Sequence, residues 1–519
     1  MAIVIQKLKI HNFKKFKDLE ICFNDEFNVL IGDNESGKTT ILQAIDLCLS
    51  GSMFKVESLG IHELFNLEAL EQFFSGSRDY NELPILSIEI TLSDFNNFDY
   101  EGKKNSYNQI LYGVKLLIIP NDEYSEEIKK VLNQEIVHFP IEFYKIEFRT
   151  YADNLYNMYN RKIKHLFVDN STIDTDNSMK EFTLNLYRSY ADSRIRQQHL
   201  SEYNNIKSQF EEKTLSNFNK DKEYSFGLHK TQKYSLENNL TIYDKKINIW
   251  HKGKGEQTLI KTSLAIQKKN EDIHILLLEE PENHLSSNNM LKMIERVKSI
   301  NNKQLILTTH NNLILSRLNL SNAIFVGQER TTNFDDISTD TVNFFNKQTN
   351  SNLLQFVLSN RVILVEGPSE YILLDYFYFF IHNKHPHEDG VSIISVNGLS
   401  FLRYLEIASK QDIKVAVITD NDKDYKKNIE DKYKDYLTNT KIEIFSDKAN
   451  ENYTFEICLF KNNKELLEKS NLTKSGDIIS FMTNNKSESA LRVLNLLMEK
   501  KCDITVPSYI ESAIRWIKE

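Results

Sequence analysis

Residues 27–49 read FNVLIGDNESGKTTILQAIDLCL. The apolar run 27–31 ends directly in a glycine-bearing loop, and from Ile41 onward the apolar residues recur at helical spacing. The stretch is therefore one strand–loop–helix unit. Gly32 to Thr39 matches G-x-x-x-x-G-K-[ST], in which glycines let backbone N–H groups cradle phosphates at a helix N-terminus. In that reading Lys38 neutralises the β- and γ-phosphates of ATP and Thr39 holds the accompanying magnesium. Asn34, Gly37 and Thr40 complete the cradle. An ordinary glycine turn is the weaker reading, because it leaves the flanking strand and helix unexplained.

The same grammar extends outward. Residues 3–10 alternate as a strand, and ILSIEITL at 85–92 predicts another. A helix is expected near 256–269, a buried strand at 273–278 (IHILLL), a helix near 288–300 and a strand at 304–309 (QLILTT). Strands alternating with helices imply a largely parallel sheet. The strand ending at Leu278 runs into Glu279-Glu280-Pro281-Glu282. It resembles a Walker B strand, whose last acid, here Glu280, polarises the water that attacks the γ-phosphate. Glu279 stands where aspartate is commoner and would support magnesium; alternatively these carboxylates simply cap the next helix. Upstream, Gly253-Lys254-Gly255-Glu256-Gln257 opens a helix and resembles the ABC signature, while His310 ends the strand QLILTTH and matches the switch histidine. Each piece is weak alone, but their order is hard to obtain by chance.

Residues 95–235 are rich in Asn, Tyr, Lys and Glu, with helices expected near 178–215, and read as a helical insertion or dimerisation arm. The expected plan is an ATPase domain over 1–330, a polar linker over 331–358 and a second, smaller α/β domain over 359–519.

That second domain carries its own acids. VILVEGPSEY at 362–371 sets Glu366 at a strand end and Glu370 four residues later, at a helix start. KVAVITDNDKD at 414–424 ends another strand with Asp420 and Asp422. Strand-end carboxylates of a parallel sheet converge on its C-terminal edge, where their oxygens suit magnesium or manganese. Either pair alone reads equally well as helix caps and solvated charge. Gly367 suits a tight turn after the first acid. The lysines between 410 and 434 can track a nucleic-acid backbone or form a solvated charged face.

Bulk properties bound the rest. A chain of 519 residues supports two or three domains, and a net charge of −9 rules out a uniformly basic nucleic-acid coat but not a local basic groove. Cys22, Cys48, Cys458 and Cys502 form no CxxC pair, which argues against a zinc site or disulfide framework. No apolar run approaches the roughly 18 residues of a membrane span. A soluble, cytoplasmic protein is expected.

Taken together, E-G-x-x-E followed by D-x-D resembles the TOPRIM domain, with Gly398 in SVNGLS matching the glycine that ends its second strand. The order of ATPase motifs followed by TOPRIM motifs resembles the OLD (overcoming lysogenization defect) family of ATPase–TOPRIM nucleases. HNFKKF at 11–16 resembles the NFR-type segment of the RecF, SMC and OLD ATPases, with Lys14 in place of arginine and expected at the nucleotide. Glu456 in NYTFEICLF resembles an additional acidic ligand, Lys486 in NNKSESALRVL the catalytic lysine, and TVPSYIESAIRWI at 505–517 the closing helix. The resemblance implies a two-metal site with ligands Glu366, Glu370, Asp420, Asp422 and Glu456, Glu366 also as a possible base. It implies one magnesium with each ATP, a head-to-tail homodimer or higher oligomer closed by the Gly255 signature, and DNA as substrate. It further implies antiphage defence, standalone, beside a helicase subunit as in Gabija, or with a retron reverse transcriptase and its msDNA. Two rivals stay open: a non-cleaving clamp of RecF or SMC type, and topoisomerase-like strand passage through a tyrosine.

Overall fold

A computed structural model of the chain describes residues 3–134, 138–170, 176–220, 224–229, 235–266, 273–300, 302–327, 331–333, 337–347, 352–398, 401–411, 413–470, 472–473, 477–500 and 504–519. It divides into one unit of Met1–His310 with Asn322–Asn333 and another of Asn311–Ser321 with Phe334–Glu519.

In the first unit, the buried run Phe27–Ile31 lies inside a sheet ordered Thr331–Asn333, Ala323–Val326, Phe27–Ile31, Gln304–Thr309, Ile275–Glu279, His165–Asp169. All neighbours are parallel except Thr331–Asn333. Central strands covered on both faces need unbroken apolar sequence, and Ile275–Glu279 is buried at every position. The register sets Glu279 beside Thr308 and Thr309 beside Ile31. Gly32, Glu280 and His310 therefore leave the sheet at one edge.

The helix Lys38–Ser50 is buried nearly all round, because a second, antiparallel sheet covers its other side. That sheet runs Phe16–Cys22, Ile5–Phe13, Leu86–Leu92, Leu111–Pro120, Glu101–Gly102, with Tyr144–Thr150 also paired to Leu111–Pro120. The buried Gln304 side chain links the layers: it accepts from Ile5 N (2.7 Å) and donates to Ile5 O (2.7 Å) and Asn24 O (2.9 Å).

Two expectations need correction. The stretch 95–235 is not a helical insertion throughout: strands Leu111–Pro120, Tyr144–Thr150 and His165–Asp169 belong to the two sheets, with the short helix Ser125–Leu132 between them, and the longer helices Asp176–Tyr190 and Ser193–Phe210 follow. Nor is 331–358 a bare linker. Helices Thr339–Lys347 and Leu353–Leu358 bury Val342, Phe345, Leu353, Leu354, Phe356 and Val357, which gives that polar-looking stretch a packed apolar face.

The second unit is built on a four-stranded parallel sheet among the described residues, ordered Val391–Ser395, Arg361–Val365, Lys414–Ile418, Ile442–Phe445. Its register aligns Val365, Ile418 and Phe445, so Glu366, Asp420 and Asp447 follow at one edge. Helices Pro368–His382, Phe455–Asn462, Lys486–Lys500 and Ser508–Lys518 share the core beneath that edge. Cys22, Cys48 and Cys458 are free thiols, and Cys502 lies outside the described residues. Among the described residues, no helix is long and apolar enough to cross a membrane.

Candidate active sites

In the first unit the phosphate loop closes on its own lysine. Lys38 Nζ donates to Gly32 O (2.8 Å) and Asp33 O (2.7 Å). Burial lowers the pKa of this amine, while Glu280, Asp33, Glu279 and Glu282 pull it the other way, so these acids face the loop. Gly37 sits at φ 104°, and a Cβ there would meet the Phe16 ring at 2.3 Å. Only glycine fits the space and the backbone. Gly32 is equally confined, with Ser36 Oγ 2.4 Å and Val326 O 2.6 Å from an added Cβ. Asn34 and Thr39 are exposed on the loop and Thr40 is half-buried behind it.

Glu279 is buried, and its Oε1 accepts the Thr39 hydroxyl, which brings both candidate magnesium-supporting groups together. Glu280 adopts a left-handed φ of 40°, its backbone N–H donating to Thr308 Oγ1 (3.1 Å). His310 Nδ1 lies 3.3 Å from Glu280 Oε1. Strand-end acid, strand-end histidine and phosphate loop thus share one edge. Gly255 packs against the following turn, where an added Cβ would meet His284 O at 2.3 Å.

Lys14, expected near the nucleotide, faces the helix that follows the phosphate loop. Lys14, at φ 48° in a hairpin, turns its Nζ to Gln43 Oε1 (2.5 Å) on the phosphate-loop helix. Its neighbour Lys15 is the one that reaches the loop, donating to Glu35 O (2.5 Å). Residues on opposite sides of a hairpin tip exchange roles with one step of register, which local sequence does not reveal.

In the second unit, Glu366 Oε2 accepts from Thr419 Oγ1 (3.2 Å) and Asp420 N (3.4 Å). Asp420 Oδ1 accepts from Phe455 N (2.8 Å). Glu456 is buried in the first turn of its helix: Oε1 accepts from Ser369 Oγ (3.0 Å), and Oε2 lies 3.6 Å from Lys486 Nζ without a hydrogen-bond partner. Burial and the charges of Glu456 and Glu366 push the Glu370 carboxyl up to about 7. Burial, Glu370, Glu366 and Glu456 together push Asp420 up to about 9. Burial works against the charge on Lys486, yet Glu456, Asp420, Glu370 and Glu366 outweigh it and raise its pKa. Five residues from four segments therefore form one electrostatic cluster in which carboxylates outnumber cations.

Asp422 does not join them. It is exposed, at φ 46°, on a turn pinned by Asn421, whose Nδ2 donates to Asp447 O (2.8 Å) and Ala449 O (3.0 Å). Gly367 also needs a different explanation: at φ −141° any residue could adopt its backbone, but a Cβ would lie 3.3 Å from Glu370 Oε2. Gly398 is the one held left-handed, at φ 102°, with its N–H on Glu366 O (3.0 Å).

The donor set tests well against a divalent cation. Hard carboxylate oxygens, surplus negative charge and a Glu456 Oε2 without a hydrogen bond are what such an ion would satisfy. Among the described residues, no three acid, histidine or cysteine side chains already close on a single point. Protein donors hold Glu366, Asp420 and Glu456 individually instead, as mutual repulsion favours. Ser369 and Glu282 escaped the sequence reading; the third acid of Glu279-Glu280-Pro281-Glu282 was the available signal for the latter.

Residues 357–422 match the family described as "Overcoming lysogenization defect protein-like, TOPRIM domain". Residues 27–316 match the family described as "AAA domain, putative AbiEii toxin, Type IV TA system". The DNA replication and repair protein RecF of Rickettsia rickettsii (strain Sheila Smith) is 27% identical over 358 residues, covering 60% of this chain and 95% of that one. Among solved structures, the SMC head bound to the C-winged helix domain of ScpA is similar at 15% identity and TM-score 0.35, covering 64% of this chain and 98% of that one. The C-terminal region of the Xanthomonas campestris pv. campestris OLD protein is similar at 18% identity and TM-score 0.24, covering 31% and 92%. The chain belongs to the AAA-domain family matched over residues 27–316 and joins that ATPase domain to an OLD-like TOPRIM domain, the combination of a metal-dependent nuclease with an ATPase.

Proposed function

We propose that this protein is an endonuclease that hydrolyses DNA phosphodiester bonds with magnesium or manganese, under control of ATP binding and hydrolysis. The observation that carries the reading is the convergence of Glu366, Glu370, Asp420 and Glu456 around Lys486 at one sheet edge. Two divalent ions held by these carboxylates, with Asp422 recruited from its exposed turn, would activate water and stabilise the leaving oxygen. Glu366, anchored by Thr419 and the Asp420 amide, is oriented to accept a proton from that water. Lys486 supplies a fixed positive charge for the scissile phosphate.

In the ATPase unit, Lys38, Gly32, Asn34, Gly37 and Thr40 would bind the phosphates, and Thr39 with Glu279 would hold the nucleotide's magnesium. Glu280 would orient the attacking water and His310 would sense the γ-phosphate. The Gly255 signature would close over the nucleotide of a second copy, making a head-to-tail homodimer or higher oligomer. ATP then shifts cleavage only insofar as it binds the two arrangements with different affinity. Similarity to a relative named for DNA replication and repair supports DNA as substrate. A cytoplasmic antiphage role, standalone or beside a helicase or a retron reverse transcriptase with its msDNA, completes the proposal.

A non-cleaving, RecF-like clamp is the second reading, favoured by the same relative. Glu366→Ala separates the two. An endonuclease loses plasmid cleavage while keeping DNA binding, whereas unchanged nicking by this variant would remove Glu366 from the site. A clamp shows no metal-dependent cleavage to lose.

A further inference from the structure

Glu282 has no role in the reaction outlined above, yet the fold treats it as if it did. Its side chain is withdrawn from water, at 6% exposure, on a turn beside the nucleotide loop. Oε1 accepts two hydrogen bonds from the end of the neighbouring strand, from Thr309 Oγ1 (2.5 Å) and from the backbone N–H of His310 (3.2 Å). Oε2 is buried with no hydrogen-bond partner. A carboxylate held this way is costly, and a neutral acceptor could serve the same two donors at less expense.

The benefit lies in what is clasped. The His310 ring is half-exposed, and Nδ1 stands 3.3 Å from Glu280 Oε1 and 4.0 Å from Glu282 Oε1. Glu280 is itself in a strained, left-handed backbone, with Oε2 accepting from Asn283 Nδ2 (2.8 Å). The acid turn thus grips His310 twice, its backbone through Glu282 and its ring through Glu280. We propose that Glu282 is a positioning residue for ATP hydrolysis, a carboxylate clasp that fixes the His310 backbone so that the imidazole meets Glu280 at the γ-phosphate. This rests on the ATPase reading of the first unit.

The test is a double-mutant cycle on the full chain, following steady-state MgATP hydrolysis. Glu282→Ala should lower kcat by about 10- to 100-fold with KM changed less than about threefold, and Glu282→Gln, which keeps an acceptor oxygen, should recover most of the loss. In a His310→Ala background, Glu282→Ala should cost less than about twofold more, because the clasp then has nothing to position. Equal losses with and without His310, or a rise in KM alone, would overturn the proposal. Should Glu282→Ala fail to fold, Thr309→Val removes one of the two donors and carries the same cycle, with a loss of about three- to tenfold expected. If the unaltered chain turns over no ATP, the ATPase reading itself falls. The cycle is then read from the preference for fluorescent ATP over ADP, which Glu282→Ala should weaken only when His310 is present.

Discussion

Asp420→Asn should stabilise the second unit in the absence of divalent cations, and the size of the effect follows from the acid cluster. The folded structure raises the Asp420 carboxyl from 3.8 to about 9. Across that window the folded state holds a proton that the unfolded chain has released. Stability must therefore fall as pH rises, by ~1.4 kcal/mol per pH unit for one proton. Between about pH 6 and about pH 8 Asp420 alone costs on the order of 3 kcal/mol, and Glu370, raised to about 7, steepens the lower half of the interval. Asparagine keeps an acceptor for the Phe455 N–H, which donates to Asp420 Oδ1 at 2.8 Å, and removes the titration. Unfolding followed through Trp516 in a Trp250→Phe background, with EDTA present, should show a much shallower pH slope for the variant. Near pH 8 its midpoint should lie ~5–10 °C above that of the unaltered unit. Saturating magnesium should flatten the slope of the unaltered protein as well, because a bound cation takes the place of the protons. Parallel slopes for the two proteins in EDTA would mean that Asp420 carries no excess proton in the folded state.

Lys486→Ala should lower cleavage by about 10²- to 10³-fold with little change in DNA affinity, measured by single-turnover cleavage and by anisotropy. Gly37→Ala forces a side chain into φ 104° and onto the Phe16 ring, so ATP binding should be lost and the first unit destabilised by about 2 kcal/mol or more in urea unfolding. Glu280→Gln should bind ATP with near-normal affinity yet hydrolyse it about 10²-fold or more slowly, as isothermal titration and phosphate release will show. Lys15→Ala should weaken ATP binding more than Lys14→Ala, because it is Lys15 that reaches the phosphate loop.

What the sequence made legible was local. FNVLIGDNESGKTT announces a strand, a phosphate loop and a helix within a few residues, and VILVEGPSEY does the same for an acid at a strand end. The antiparallel sheet is another matter. Its strand Tyr144–Thr150 alternates apolar with polar residues and Leu111–Pro120 is mostly apolar, but both sit among Asn, Tyr and Lys that read as an arm, and their pairing is set by partners distant in sequence. His165–Asp169 is hidden for the same reason, since only its register with Ile275–Glu279 makes it a sheet strand. Within the sites, Glu366, Glu370 and Asp420 could be anticipated from the parallel topology, while Glu456 and Lys486 rested on resemblance. Asp422 stands apart from the cluster, because a D-x-D spacing says nothing of the left-handed turn that carries the second acid outward. Glu282 and Lys15 act through contacts to a neighbouring strand and loop, which no sequence spacing encodes.

Cleavage of supercoiled plasmid by the purified protein, with magnesium or manganese and with or without ATP, separates a metal-dependent nuclease from a clamp when Asp420→Ala and Lys38→Ala are run beside it. Nicking should require the metal, be lost in Asp420→Ala, and respond to ATP only while Lys38 is present. Metal-dependent cleavage that persists undiminished in Asp420→Ala would contradict it.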